Sequence, residues 1–197
     1  MTDVLALPSG ATPASERERR SVATASLFAS VAMVMAFAGF AAVYLTLRQE
    51  VRPFPPEGVE FDFYLARTLV ITVFMASLFI EWAAYGIRKG FQGHALVAFA
   101  VTILQGIAAI IGFWFLLDTK LGFAIADHPY GALAHTMVFL SLLAVGAAIV
   151  FIELTMLKAI GHQLDARNFP LMRATATVWH AAATSWVIVY YVLYVTK

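Results

Sequence analysis

With 197 residues, 61% hydrophobic, 14% aromatic and only 13% charged, the chain falls well short of the about 25% charged residues of an average soluble domain and reads as a membrane protein. A formal net charge of +1 gives no electrostatic reason to expect nucleic acid as a partner. Cysteine is absent, which excludes disulfides, iron–sulfur clusters, thiolate copper centres and cysteine nucleophiles together.

The first twenty residues, MTDVLALPSGATPASERERR, are polar and include two prolines. A cleaved secretory signal carries its positive charge ahead of a short apolar core. Here Arg17, Arg19 and Arg20 lead directly into a long apolar stretch. The expectation is therefore a short polar tail (1–20) followed by an uncleaved first helix. About 20 apolar residues cross the ~30 Å hydrocarbon core of a bilayer. Five segments qualify, at 22–47, 65–87, 95–117, 131–157 and 174–195. The connections RQEVRPFPPEGVEFD, RKGFQGH, DTKLGFAIADHPYG and KAIGHQLDARNFPLMR hold the helix breakers and most charges. Short connections imply antiparallel neighbours in one all-α, five-helix membrane domain spanning 21–197. No internal repeat of the kind that marks inverted-repeat transporters is evident.

Basic residues favour the cytoplasmic side of a membrane. The side of the N-terminus gathers Arg17, Arg19, Arg20, Arg88, Lys89, Lys158, Arg167 and Arg173, whereas the other gathers Arg48, Arg52, Arg67, Lys120 and Lys197. Eight against five predicts a cytoplasmic N-terminus and a periplasmic C-terminus.

Glu81, His135, Glu153 and His180 are the ionisable residues placed within the spans. At 1.5 Å per residue, His135 and His180 lie roughly 6 and 9 Å from opposite surfaces of the ~30 Å core, a depth difference of about 15 Å. Two axial ligands of one iron cannot be so far apart, so a shared haem is not expected. By the same count Glu81 and Glu153 match the depth of His180. An unpaired charge in lipid costs several kcal/mol, so His180 is expected to meet Glu81 or Glu153 inside the bundle, near the cytoplasmic face. Such a cluster either relays protons or, more commonly, fixes helix packing. His94, His128 and His162 fall in connections and read as solvated. Metal-ligand spacings, Gly-rich phosphate loops and the nucleophile elbow are all missing from the sequence. AFAGFAAVY (36–44) and VGAA (145–148) offer small residues for close helix approach. Trp179 and Trp186, seven residues apart, share one face of the last helix and predict a helix–helix seam. Tyr190, Tyr191 and Tyr194 suit an interfacial belt.

That last helix also resembles a known family. VWHAAATSWVIVYYVLYV matches Trp179, His180 and Trp186 of the W-H-F-V-D-x-x-W pattern closing the third subunit of haem–copper respiratory oxidases. In order along the chain, FAGFAAVYLTLR (37–48) is similar to that family's first conserved helix end. FPPEGVEFD (54–62), with Pro55 and Pro56, resembles its W-P-P loop. EWAAYGIRKG (81–90) shares Trp82, Ala83 and Gly90 with its T-W-A…G stretch, and TILQG (102–106) stands where the family has T-x-x-L-G. The chain departs from the pattern at Met33, where the family keeps a carboxylate, and at FWFLL (113–117). It also departs at the single His135 of a histidine pair, and at Ala183 in place of an aspartate.

The resemblance implies a five-helix, non-catalytic subunit of a terminal oxidase in the bacterial inner membrane. Such a subunit has no cofactor of its own, while haems and copper belong to partner subunits I and II. It implies structural phospholipids, with Arg48, Arg67 and His135 as candidate lipid or interface residues and Trp82, Trp179, Trp186, Pro55 and Pro56 as packing residues. Loss of the family's polar residues favours structural support of proton uptake over direct proton transfer. Two alternatives stand beside it: a similar partner of a nitric oxide reductase, and a stand-alone membrane transporter or enzyme using Glu81, Glu153 and His180.

Overall fold

A computed structural model describes residues 16–50, 62–121, 129–164 and 169–196. Five helices make up the architecture: α1 (Glu16–Gln49), α2 (Phe63–Lys89), α3 (Gln92–Phe115), α4 (Pro129–Ile160) and α5 (Phe169–Tyr190). α3 and α5 each continue into a π-helical turn, Leu116–Lys120 and Tyr191–Val195. All five are long and apolar enough to cross a membrane. In lipid every backbone N–H and C=O needs an internal partner, and an uninterrupted helix supplies one.

The same requirement explains why the helices outrun the apolar windows. α1 begins at Glu16, so the end of the expected polar tail is already helical. α5 begins at Phe169, five residues ahead of the predicted start at 174, because Pro170 is tolerated in a first turn and the exposed Arg173 can reach the interface. α2 is sharply bounded. The Asp62 carboxylate accepts from the backbone N–H groups of Tyr64 and Leu65, at 3.0 and 3.2 Å. At the other end Gly90 adopts φ 75°, a left-handed conformation that suits glycine, and its N–H closes on the Ile87 carbonyl.

Packing order differs from chain order. α2 and α3 form a hairpin, and α3 packs on α4. α5, last in sequence, touches α1, α2 and α4 and is the hub. α1 departs from the expected antiparallel pairing of sequence neighbours: its main contact is α5, and the two run parallel. Arg48 at the end of α1 donates to Thr196 just beyond α5, at 3.0 Å. The antiparallel pairs are marked by Gln92, whose amide donates to the Ala159 carbonyl where α3 begins and α4 ends, and by Arg88 of α2, stacked 5.2 Å over the Phe169 ring at the start of α5.

α5 can be a hub because it is alanine-rich. Ala174, Ala176, Ala181, Ala182 and Ala183 are all buried, so neighbouring backbones approach closely. Gly106 of α3 serves the same end, since a Cβ there would stand 2.7 Å from Ile149 of α4 and 3.5 Å from Trp179 of α5. Gly39, in the small-residue run expected to do this work, has no atom of the described residues within 4 Å of where its Cβ would stand. Outside the core the surface is apolar: Phe28, Tyr64, Leu104, Trp114 and Leu157 are each more than 60% exposed. In water such a surface would aggregate, and in a bilayer it is the lipid or partner boundary. The chain is a multi-pass membrane protein.

Candidate functional site

Two layers of cross-helix hydrogen bonds tie α5 to its neighbours. Near the start of α5, the Thr175 and Thr155 hydroxyls meet at 2.6 Å; one donates to the other, and each also stands within hydrogen-bond distance of the carbonyl four residues earlier in its own helix. One turn on, Trp179 is 1% exposed and its indole N–H donates to Ser77 of α2 at 3.1 Å. Two further turns along, Trp186 is fully buried and meets Phe113 edge-on at 4.7 Å. Its indole N–H has no hydrogen-bond partner among the described residues, so its contact with Phe113 is ring packing. The two tryptophans thus lie in one seam against α2 and α3.

Next to that seam, His180 Nε2 lies 2.8 Å from Glu81 Oε1, which joins α5 to α2. Whichever group holds it, one proton lies between them. Glu153 stands elsewhere, exposed on the outward face of α4 among Val150, Leu154 and Leu157. The three-residue cluster is therefore a pair and an outlier. Nor is the pair inside the bundle. The imidazole is 40% and the carboxyl 55% exposed, and both face an outward groove of about 370 Å³ between α2 and α5. Rotation about the helix axis decides this: Trp179 fills the inward sector of α5, and His180, about 100° further round, is left facing out.

Depth can be counted from the helix ends. Glu81 precedes Lys89 by eight residues, about 12 Å, and His180 follows Phe169 by eleven, about 16 Å, at 1.5 Å per residue. Both lie within membrane-length helices, well away from the helix ends.

The remaining candidates are scattered. His135 is half-buried and its Nδ1 donates to the Gly131 carbonyl at 2.9 Å. It lines a separate, mostly apolar cavity of about 470 Å³ with Trp114, Asp118 and Phe139 of α3 and α4. The two membrane histidines thus belong to different sites. Arg67 is exposed in the first turns of α2. Trp82, expected to pack inside, is 38% exposed and lies beside Phe79 and His94 on the outer surface. His94 is not in a loop but in the first turn of α3, and His162 forms the turn after α4 with φ 54°. Pro55, Pro56 and His128 lie outside the described residues. Among the described residues no three potential metal-ligating side chains converge.

The sequence placed Glu81 and His180 at one depth but carried no signal for the azimuth of either. Ser77 and Thr184, which share their groove, escaped notice because a lone hydroxyl in a helix normally bonds its own backbone. Comparison with known protein families and with characterised proteins yields no match.

Proposed function

We propose that the chain is an accessory, non-catalytic subunit of a bacterial respiratory complex of the haem–copper type, embedded in the inner membrane beside the catalytic subunit. The observation that carries this reading is the outward-facing Glu81–His180 pair at membrane depth. Lipid tails offer no hydrogen bonds to a carboxyl and an imidazole, and a charged side chain at such depth costs several kcal/mol against hydrocarbon. A protein neighbour removes that cost. A stand-alone transporter would instead turn its ionisable groups inward, and Glu81, His180 and Glu153 all face outward here.

The resemblance of the last helix adds the kind of complex. The residues that carry it, Trp179 and Trp186, sit on the hub helix and hold its seams, and His180 is its point of polar contact. On this reading the subunit works by packing, holding phospholipid and prolonging the activity of its neighbour, without a cofactor of its own. The basic residues Arg88, Lys89, Lys158 and Arg173 at one end of the bundle support a cytoplasmic N-terminus by the positive-inside rule.

Purification from native membranes in mild detergent tests the proposal. The chain should co-elute with haem absorbance and with a catalytic subunit identifiable by peptide mass. A nitric oxide reductase in place of an oxidase would change the host and keep the role. Elution of the chain alone, without haem, overturns the reading.

A further inference from the structure

His180 takes up only part of what Glu81 offers. One carboxylate oxygen lies against the imidazole, and the side chain still presents more than half its surface outward. Around it the groove has a regular shape. Val73, Ser77 and Glu81 recur at intervals of four on α2, and His180, Thr184 and Val187 form the facing row on α5. From Val73 to Glu81 the trough runs about 12 Å, or two helical turns. Ala183 lies at its floor, and small residues are what allow a further helix backbone to approach.

We infer that this groove seats a membrane-spanning helix of a partner protein, which places a hydrogen-bond donor side chain against Glu81. The inference deepens the functional reading above and rests on it for the existence of a partner. The trough is mostly apolar, and within it the exposed Glu81 carboxyl and His180 imidazole call for hydrogen-bonding partners that a polypeptide can supply and an acyl chain cannot. A phospholipid headgroup would have to sink about 12 Å below the helix end to reach Glu81. The outward carboxyl oxygens accept, so the incoming group donates: a guanidinium, an ammonium, an amide, an indole or a hydroxyl. The exposed Glu153 lacks such a setting, since its neighbours on α4 are aliphatic.

The chain has no native cysteine, so single cysteines report unambiguously. Leu78→Cys and Thr184→Cys lie at the groove, and Leu104→Cys and Leu157→Cys lie on exposed faces of α3 and α4. Each would be labelled in native membranes with a photoactivatable maleimide. The expected result is one discrete adduct with a different membrane-spanning polypeptide from both groove positions and none from the other two. The adduct peptide should carry a donor residue within a turn of the cross-link. Glu81→Ala should lower the yield about tenfold, equivalent to about 1.4 kcal/mol. His180→Ala breaks the same α2–α5 bond but keeps the carboxyl, and should leave most of the adduct. Equal loss in both variants would reduce Glu81 to a packing residue and overturn the inference.

Three other outcomes also overturn it. They are an adduct of twice the chain's own mass, which makes the occupant a second copy, and adducts arising equally from Leu104→Cys and Leu157→Cys. The third is quenching of a bimane label at Thr184→Cys by brominated phospholipid as strongly as at Leu104→Cys, which makes the occupant lipid. Co-elution with haem while cross-links come from another face would sink only the docking site. Groove cross-links to a haem-free partner would sink only the respiratory reading.

Discussion

His180 on α5 and Glu81 on α2 stand 2.8 Å apart on the outside of the bundle, although the residue just before His180, Trp179, is almost wholly buried. A single helix thus presents a buried seam on one face and, at the next residue, an exposed imidazole bonded to a carboxyl. The pair should be a modest contributor to the isolated chain. A double-mutant cycle of Glu81→Ala and His180→Ala, followed by thermal unfolding in detergent, should return a coupling of about 0.6–1.7 kcal/mol, the range of interhelical hydrogen bonds in membranes. Strict additivity of the two losses would mean that no such bond forms.

Thr155 and Thr175 make the opposite kind of contact, buried and hydroxyl to hydroxyl. Thr155→Val alone leaves the Thr175 hydroxyl facing a methyl group, and should cost about 1–2 kcal/mol. With Thr175→Val added, both polar groups are gone and the shapes remain matched, so the double variant should be more stable than the sum of the singles predicts. Apparent melting temperatures of the four proteins decide the matter.

Trp179 and Trp186 differ in one bond. Trp179 donates to Ser77, while the Trp186 N–H finds no acceptor among the described residues. Replacement by Phe removes similar volume at both sites, but only Trp179→Phe removes a cross-helix hydrogen bond, the one donated to Ser77, whose own hydroxyl still donates to the Val73 carbonyl. Its cost should exceed that of Trp186→Phe by about 1 kcal/mol. Equal losses in denaturation of the two variants would remove the indole–hydroxyl bond from the account.

Gly106 is where three helices converge. Gly106→Ala puts a methyl within 2.7 Å of the Ile149 side-chain tip, and overpacking of this kind costs about 1–3 kcal/mol. The clash is with both Cδ1 and Cγ1, and valine keeps a Cγ1, so Ile149→Val should restore only part of the loss in the double variant. Gly39→Ala, with open space around it, should be neutral within measurement. A stability loss at Gly39 equal to that at Gly106 would contradict the helix arrangement.

The amino-acid sequence by itself determined the number of spans, since apolar run length is a local property and lipid demands about 20 such residues in a row. It also determined the depth of each polar group, since depth along a helix is residue count multiplied by rise. Glu81 and His180 could be placed at the same level on those grounds alone. Azimuth could not be read in the same way. In water an amphipathic stripe tells which face of a helix is buried, but here the lipid-facing and core-facing sides are both apolar and the pattern is nearly silent. Tertiary structure therefore decided that Glu81 and not Glu153 meets His180, that Trp82 faces out while Trp179 faces in, and that α1 packs on α5 in parallel. Small residues far apart in sequence, Gly106 and the alanines of α5, made those choices by letting particular backbones approach, and that complementarity exists only between helices.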